Sequence, residues 1–272
     1  MAFVTGAARG QGRSHVLRLA ALGADIIACD LCAPIGTQPY AAGSEAEFHE
    51  TVEAVERLGR RIVHRVVDVR DSEGLRGLVA DGVARLGGRL DVVVANAGTW
   101  SVGSSWEMPD EQWQEMIDIN LTGVWKTAKA AVPEMLEADN GGSVILISSM
   151  CGLAGFNGLP HYVAAKHGVV GLMKVMAQEL GPRNIRVNAI CPTNVDTPMF
   201  NNEFVQRIFV PDAESPTREQ VVAAASAIHA LPTACIQPED VTNVVEFLAS
   251  DASRYMTGVP VLIDAGCLAK PA

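Results

Sequence analysis

Short apolar runs of strand length alternate along this chain with longer stretches in which apolar residues recur every three or four positions. The first pattern suits strands buried on both faces and the second suits helices laid against them. Their alternation predicts a parallel sheet covered on both sides, a doubly wound α/β fold. Seven strands are expected, near 2–5, 25–29, 62–67, 92–95, 143–148, 185–190 and 260–263. Six helices are expected between them, near 11–22, 45–58, 72–86, 111–138, 160–180 and 238–249. Several end in helix-stopping residues, as at Leu58-Gly59 and Leu180-Gly181-Pro182.

Two connections are longer than such a fold needs, which makes both candidates for function. An insertion at about 31–44 carries Pro34, Gly36, Pro39 and Gly43. A second segment, at about 193–238, has its own helical stretch near 218–229 and is the natural substrate lid. At 272 residues, 49% of them hydrophobic, the chain suits one domain with one large core.

Charge and composition narrow the function. A formal net charge of -10 with no basic run argues against nucleic acid as a partner. No apolar run approaches the roughly 20 residues that a bilayer needs. The opening Phe3-Val4-Thr5-Gly6 leaves no room for a secretory leader, so a cytoplasmic location is expected. The six cysteines, at 29, 32, 151, 191, 235 and 267, are scattered and are expected as free thiols. Cys29-x-x-Cys32 lacks a second ligand pair and reads as core packing. The histidines form no i, i+3 or i+4 pair, and no metal is implied.

The segment Thr5-Gly6-Ala7-Ala8-Arg9-Gly10-Gln11-Gly12 follows the first expected strand and opens the first helix. Gly6 permits a tight turn, Gly10 lets backbone approach a pyrophosphate, and Gly12 allows close packing while the helix N-terminus faces the anion. This strand-turn-helix context points to a dinucleotide and a Rossmann fold. Asp30, followed by Leu31, ends the second strand, where a carboxylate can accept from a ribose diol and repel a 2′-phosphate, favouring NAD over NADP. The alternative is that Asp30 only caps the next loop. Asp68-Val69 either holds the adenine edge or forms a strand-end turn.

Tyr162 and Lys166 are four apart at the start of a long amphipathic helix and so share a face. A phenol of pKa near 10 is a poor base at neutral pH. A neighbouring ammonium and the cationic ring of an oxidised nicotinamide would both favour its phenolate. Ser149, thirteen residues earlier at a strand end, can orient a substrate oxygen. Ser148 is its competitor, and spacing favours Ser149.

Together these residues resemble a classical short-chain dehydrogenase/reductase, and the resemblance covers essentially the whole chain. Thr5 to Gly12, including Arg9 and Gln11, matches the family's TGxxxGxG turn. Asn96-Ala97-Gly98 matches its NAG motif, and Asn120, Ser149, Tyr162 and Lys166 match its catalytic tetrad. The resemblance implies that Asn96 to Gly98 brace the central sheet and that Asn120 holds a water linking Lys166 to solvent. It also implies that the 192–199 stretch, through Pro192, Thr193, Val195, Thr197 and Met199, positions the nicotinamide. Thr193 stands where the family usually has glycine, and Ala95 where it usually has asparagine.

The Asp30-Leu31-Cys32 stretch with its insertion, the Gly59-Arg60-Arg61 approach to the third strand and the 192–199 stretch are similar to carveol-dehydrogenase-like members. The insertion, which follows Asp30, either covers the adenosine end of the cofactor and slows its escape or is a plain surface loop; the resemblance implies tightly held, non-exchanging NAD. It also implies an external redox carrier of the mycofactocin kind and a homotetramer with the 259–269 tail near an interface. Trp100, Trp106, Met150, Phe156, Leu159, Met199, Phe200 and Phe204 fall on loops around the strand ends and could line an apolar pocket. The expected reaction interconverts a hydrophobic secondary alcohol, terpenoid or carveol-like, and its ketone, with Tyr162 as general acid/base. Two alternatives are an NADP-dependent 3-oxoacyl or other ketone reductase on the same scaffold, and a non-catalytic dinucleotide-sensing regulator.

Overall fold

The computed structural model describes residues 1–270. Its centre is a seven-stranded parallel sheet: β1 (Ala2–Thr5), β2 (Ile26–Asp30), β3 (Ile62–Val66), β4 (Val92–Ala95), β5 (Gly142–Ile147), β6 (Ile185–Pro192) and β7 (Pro260–Ile263). The spatial order is β3-β2-β1-β4-β5-β6-β7, and every pair is parallel. This is the expected doubly wound Rossmann fold.

The register shows why these strands read as unbroken apolar runs. Phe3 pairs with Ile27 and Val93, and Val4 pairs with Ala28 and Val94. The first trio faces a core closed by α3 (Ser72–Leu86), α5 (Gly123–Ala138) and α6 (Pro160–Leu180). The second faces a core closed by α1 (Gly10–Ala21), α2 (Glu45–Arg57) and α9 (Pro238–Ala249). In β1, β2 and β4 neither face meets water, so the alternation that marks a half-exposed strand is absent there. Each large side chain fully buried here, such as Phe3, Ile27 or Leu75, contributes about 1.5–3 kcal/mol.

Three differences from the expected elements have local causes. The helix expected over 111–138 is two helices, α4 (Asp110–Ile117) and α5, joined by one π-helical turn at Asp118–Thr122. Asn120 sits in that turn, and its amide donates to the Met116 carbonyl at 3.2 Å, competing with the backbone ladder. The long 193–238 segment holds an unforeseen helix, α7 (Glu203–Phe209), capped by Asn202, besides the expected one, α8 (Arg218–Ala227). β2 lies one residue later than the expected 25–29, with Asp30, as expected, its last residue, in the sheet opposite Val66.

All six cysteines are free, and Cys29 is fully buried in the sheet core. Among the described residues no helix is long and apolar enough to cross a membrane. Strand order reverses direction between β1 and β4, and the carboxyl ends of these two strands bound the crevice where such sheets take ligands.

Candidate active site

A cleft open to solvent occupies that crevice. Gly6, Arg9, Gly10, Gln11 and Gly12 form one wall. Gly12 tolerates no side chain, because a Cβ there would lie 1.9 Å from the Gly6 carbonyl and 2.7 Å from Asn96 Nδ2. The first turn of α1 therefore seats directly on the β1 turn. Asn96 stitches the two together, its amide donating to Thr5 O at 2.9 Å while its backbone N–H reaches Thr5 Oγ1 at 3.1 Å. α1 has no side-chain N-cap, so its free N–H groups and the positive end of its dipole are open to an anion. Gln11 Oε1 is buried without a partner at the same place. An uncapped helix start beside an orphaned acceptor fits the pyrophosphate and hydroxyl groups of a dinucleotide.

Asp30, Leu31, Asp68 and Val69 line the cleft where β2 and β3 end. Asp30 serves the loop as well as the cleft, accepting from Ala8 N at 2.9 Å and from Cys32 N at 3.1 Å. The bond from Cys32 N is the loop cap that one sequence reading of this residue expected. Asp68 is gripped by Arg70 through its backbone and guanidinium. Burial works to raise the Asp68 pKa, but the Arg70 bonds and charge prevail and hold it below the usual carboxylate range.

The 31–44 insertion lies along the cleft, where Ala33, Ile35, Gln38, Tyr40, Ala42 and Gly43 contribute to its wall. Thr37 anchors it, donating from backbone and hydroxyl to Glu115 Oε2 at 2.9 and 2.7 Å. Glu115 in turn pairs with Arg70 at 3.1 Å, so one charged network joins the insertion to Asp68. Arg9 bonds the Ala41 carbonyl, which turns this cation toward the insertion. Gln38 Oε1 accepts from Thr99 Oγ1 at 3.1 Å, and Tyr40 Oη lies 3.4 Å from the same hydroxyl. Gln38 and Tyr40 were not among the sequence candidates, and the length of the insertion was the only signal that pointed near them.

The tetrad candidates do not themselves line the cleft; Asn120 and Lys166 gather behind Gly98, which does. A Cβ on Gly98 would lie 2.8 Å from Asn120 Oδ1 and 3.7 Å from Lys166 Nζ, so this glycine brings both against the cleft wall. Asn120 Oδ1 accepts from Thr99 N at 3.2 Å. Lys166 Nζ lies 5.5 Å from the centre of the Tyr162 ring and donates to Ile147 O at 2.9 Å. Burial drives the Lys166 pKa down to about 8. Burial also raises the Tyr162 phenol above its ordinary value, with the Ser149 hydroxyl acting in the opposite sense. The expected lowering of the phenol is therefore not found, because desolvation prevails. Ser149 Oγ accepts from Cys151 N at 3.2 Å and donates to Pro192 O at 3.4 Å. Ser148 is committed elsewhere, donating to the Lys166 carbonyl at 3.0 Å.

The profile of the family described as short chain dehydrogenase matches residues 1–207. The chain belongs to the short-chain dehydrogenase family. It is 49% identical over 271 residues to the (-)-trans-carveol dehydrogenase of Rhodococcus erythropolis, covering 99% of this chain and 98% of the relative. The solved carveol dehydrogenase from Mycobacterium avium, in complex with NAD, superposes with a TM-score of 0.97 at 50% identity, covering 99% and 97% of the two chains. A short chain dehydrogenase from Mycobacterium paratuberculosis bound to NAD gives a TM-score of 0.91 at 43% identity, with the same coverage.

In this short-chain dehydrogenase the 192–199 stretch divides. Thr197 and Met199 line the cleft with Pro198, and Thr197 Oγ1 donates to Val195 O at 3.3 Å. Pro192, Thr193 and Val195 do not form the cleft wall. Pro192 ends β6, and Val195 is buried in a bridge to Ile236. Thr193, placed where glycine was usual, sets its hydroxyl 2.6 Å from His229 Nε2, while His229 Nδ1 bonds Thr233 O at 2.7 Å. The side chain that departs from the family pattern thus pins the far end of the 193–238 segment.

Trp100 bonds Met199 O at 3.1 Å through its indole and meets Phe204 edge-on at 5.9 Å. Phe200 meets Phe209 at 5.8 Å. Met150 is buried directly after Ser149, and Phe156 and Leu159 are half-buried on the approach to α6. Trp106 does not join them, being 84% exposed.

Proposed function

We propose that this chain is an NAD-dependent oxidoreductase that interconverts a hydrophobic secondary alcohol of the carveol type and its ketone. The observation that carries the reading is that Asn120 and Lys166 meet Gly98 on the wall of the cleft that the glycine turn opens, with Tyr162 beside Lys166. The names of the two carveol dehydrogenases and the NAD in the two solved relatives support the choice of substrate class and cofactor. The Asp30 carboxylate on the adenosine side supports NAD over NADP.

Gly6 to Gly12 and the open start of α1 would hold the pyrophosphate, Asp30 the adenosine ribose, and Thr197 to Met199 the nicotinamide end. Bound NAD supplies the hydride acceptor and, when oxidised, a positive charge that favours a nearby phenolate. Tyr162 takes the hydroxyl proton of the alcohol at its phenolic oxygen. Ser149 holds the substrate oxygen by turning its hydroxyl from Pro192 O toward it. Lys166 supplies positive charge beside the phenol and donates to ribose hydroxyls, and Asn120 holds the water through which that proton leaves. Trp100, Phe204 and Met199 give the substrate side an apolar surface and exclude water.

The insertion, locked by Thr37 to Glu115, would cover the cofactor and slow its escape, and an external carrier of the mycofactocin kind would be the oxidant that regenerates it. The working state is a cytoplasmic homotetramer, a reading supported by the exposed apolar residues Phe247, Val259 and Leu262 near the C-terminal tail. Purified protein should oxidise carveol with NAD⁺ or an artificial electron acceptor, and denaturation should release NAD detectable by mass spectrometry. Failure of a panel of apolar secondary alcohols with both acceptors would overturn the activity, and release of no dinucleotide would overturn tight retention.

A further inference from the structure

Helix α6 carries Tyr162 in its first turn, and that turn is capped in an unusual way. Leu159 at the N-cap offers no side-chain acceptor, and Pro160 has no N–H. Val163 N finds the Leu159 carbonyl at 2.8 Å. The Tyr162 N–H is one of the donors that a helix start leaves without a backbone partner. It donates to the imidazole Nδ1 of the preceding residue, His161, at 2.9 Å.

Because Nδ1 accepts, a neutral ring carries its proton on Nε2. Nε2 lies 2.9 Å from Ser101 Oγ, to which it donates. The Gln112 amide also donates to Ser101 Oγ at 2.9 Å, and to Val102 O at 3.0 Å. His161 is fully buried and Ser101 nearly so, and burial pushes the imidazole down to about 4, which keeps it neutral. Both ring nitrogens are thus committed, one to the tyrosine backbone and one to the loop that follows β4.

That loop is the one bordering the cleft. Its Gly98 lies against Asn120 and Lys166, its Thr99 N–H bonds Asn120, and its Trp100 bonds Met199 at the start of the 193–238 segment. We propose that His161 is a positioning residue, whose imidazole ties the Tyr162 backbone to the 97–103 loop and so holds the phenol in register with the cofactor cleft. This rests on Tyr162 being the proton-transferring residue. Alignment is where such a tie acts on rate, since a displacement of about 1 Å can cost about 100-fold. A buried side chain serving only as filler would need neither nitrogen aimed at this amide.

Three variants test it. His161→Phe fills the space without an acceptor. His161→Asn places its Oδ1 where Nδ1 was and keeps the bond to Tyr162 N–H. Ser101→Ala removes the partner of Nε2 without opening a large cavity. With carveol and either acceptor, His161→Phe should lower kcat about 10- to 100-fold with KM changed less than about threefold. Its Tyr162 amide should exchange hydrogen at least about tenfold faster than in the unaltered protein, in keeping with loss of the bond. His161→Asn should recover both properties to within about threefold.

The proposal is overturned if His161→Phe keeps kcat within about twofold, or if His161→Asn is as slow as His161→Phe. Should His161→Phe not fold, Ser101→Ala decides, with kcat expected to fall about three- to tenfold and an unchanged kcat overturning the tie. Should the unaltered protein oxidise no alcohol, it is the assignment of Tyr162 that fails. Amide exchange still judges the tie in that case, and unchanged protection of Tyr162 in His161→Phe would overturn it.

Discussion

Replacing Asp30 by asparagine separates the two duties that the structure gives this carboxylate. An ionised carboxylate has about four acceptor sites. Two are taken by Ala8 N–H and Cys32 N–H, so the remaining lone pairs are available to the cleft that Asp30 lines. Asparagine keeps the shape and one oxygen, but its NH₂ must face one of the two backbone donors. An amide left unsatisfied in this way costs about 1–3 kcal/mol of stability. On the ligand side, hydrogen bonds from ribose hydroxyls to a charged acceptor are worth about 1.5–3 kcal/mol, so NAD should bind about 10- to 100-fold more weakly. Removing the charge also removes repulsion of a 2′-phosphate. Two unit charges at 4 Å interact by about 4 kcal/mol at an effective dielectric constant of 20, and partial exposure of Asp30 reduces that. A further tenfold relaxation against NADP is a conservative share, so the NAD:NADP ratio of kcat/KM should fall by about two to three orders of magnitude. Steady-state rates with both dinucleotides, alongside a thermal melt, measure the two effects. A melting temperature that drops while the ratio stays within about threefold would show that Asp30 only caps its loop, and the cofactor assignment would be refuted.

Tyr162→Phe should lower kcat by about 10²–10⁴-fold while NAD binding, followed by fluorescence, is unchanged; a variant keeping more than a few per cent of the rate contradicts the role given to the phenol. Glu115→Gln weakens the lock between insertion and Asp68, so bound NAD should exchange with labelled NAD about tenfold faster, and an unchanged exchange rate would detach the insertion from cofactor retention. Thr193→Gly removes the hydroxyl bonded to His229, and amide exchange over 226–234 should rise with little change at β6. His15 and His161 are buried and neutral, with pKa values pushed by desolvation from 6.5 down to about 3 and about 4. Below pH 6.5 the unfolded chain binds the protons that the folded chain refuses, so stability must fall as pH drops, by up to about 1.4 kcal/mol per pH unit per histidine. Urea unfolding between pH 7 and pH 4.5 should show this slope, and His15→Gln should flatten it; a curve that stays level would mean these rings are charged or hydrated in the folded state.

Strand positions were readable because the chemistry that makes them is local and redundant. Phe3, Ile27 and Val93 need only be apolar to satisfy one core, and Val4, Ala28 and Val94 only to satisfy the other, so each run announces a strand buried on both faces. The π turn was not readable, because the apolar period on either side of Asn120 is the same as in an uninterrupted helix. The break comes from bonds that Asn120 makes to Met116 and Thr99, and Thr99 is 21 positions away. α7 escaped notice for a related reason, since seven residues are too few for a period to stand out and its cap, Asn202, reads equally well as a loop residue.

The site divides along the same line. Gly12 could be named in advance because a Cβ there would strike the β1 turn, and Tyr162 could be paired with Lys166 because a spacing of four on one helix brings them side by side. What could not be named is the shell that aligns them: Tyr40 and Gln38 against Thr99, Glu115 between Thr37 and Arg70, and His161 against Ser101. Each of these joins residues from separate elements, and each residue taken singly is an ordinary loop or helix side chain. The electrostatics show the same limit. Spacing alone suggests that Lys166 lowers the Tyr162 pKa, yet how far both groups are desolvated depends on the packing of α6 against β5 and the cleft, and here burial lowers the lysine and raises the phenol. A free protein with a protonated Tyr162 and a Lys166 of pKa about 8 is a weak base at neutral pH. On the proposed mechanism, phenolate is then favoured chiefly by the positive charge of the oxidised cofactor. Proton abstraction would follow cofactor binding, and the kcat/KM profile for alcohol, measured at saturating NAD⁺, should show its acidic limb well below the phenol pKa titrated in the dinucleotide-free protein.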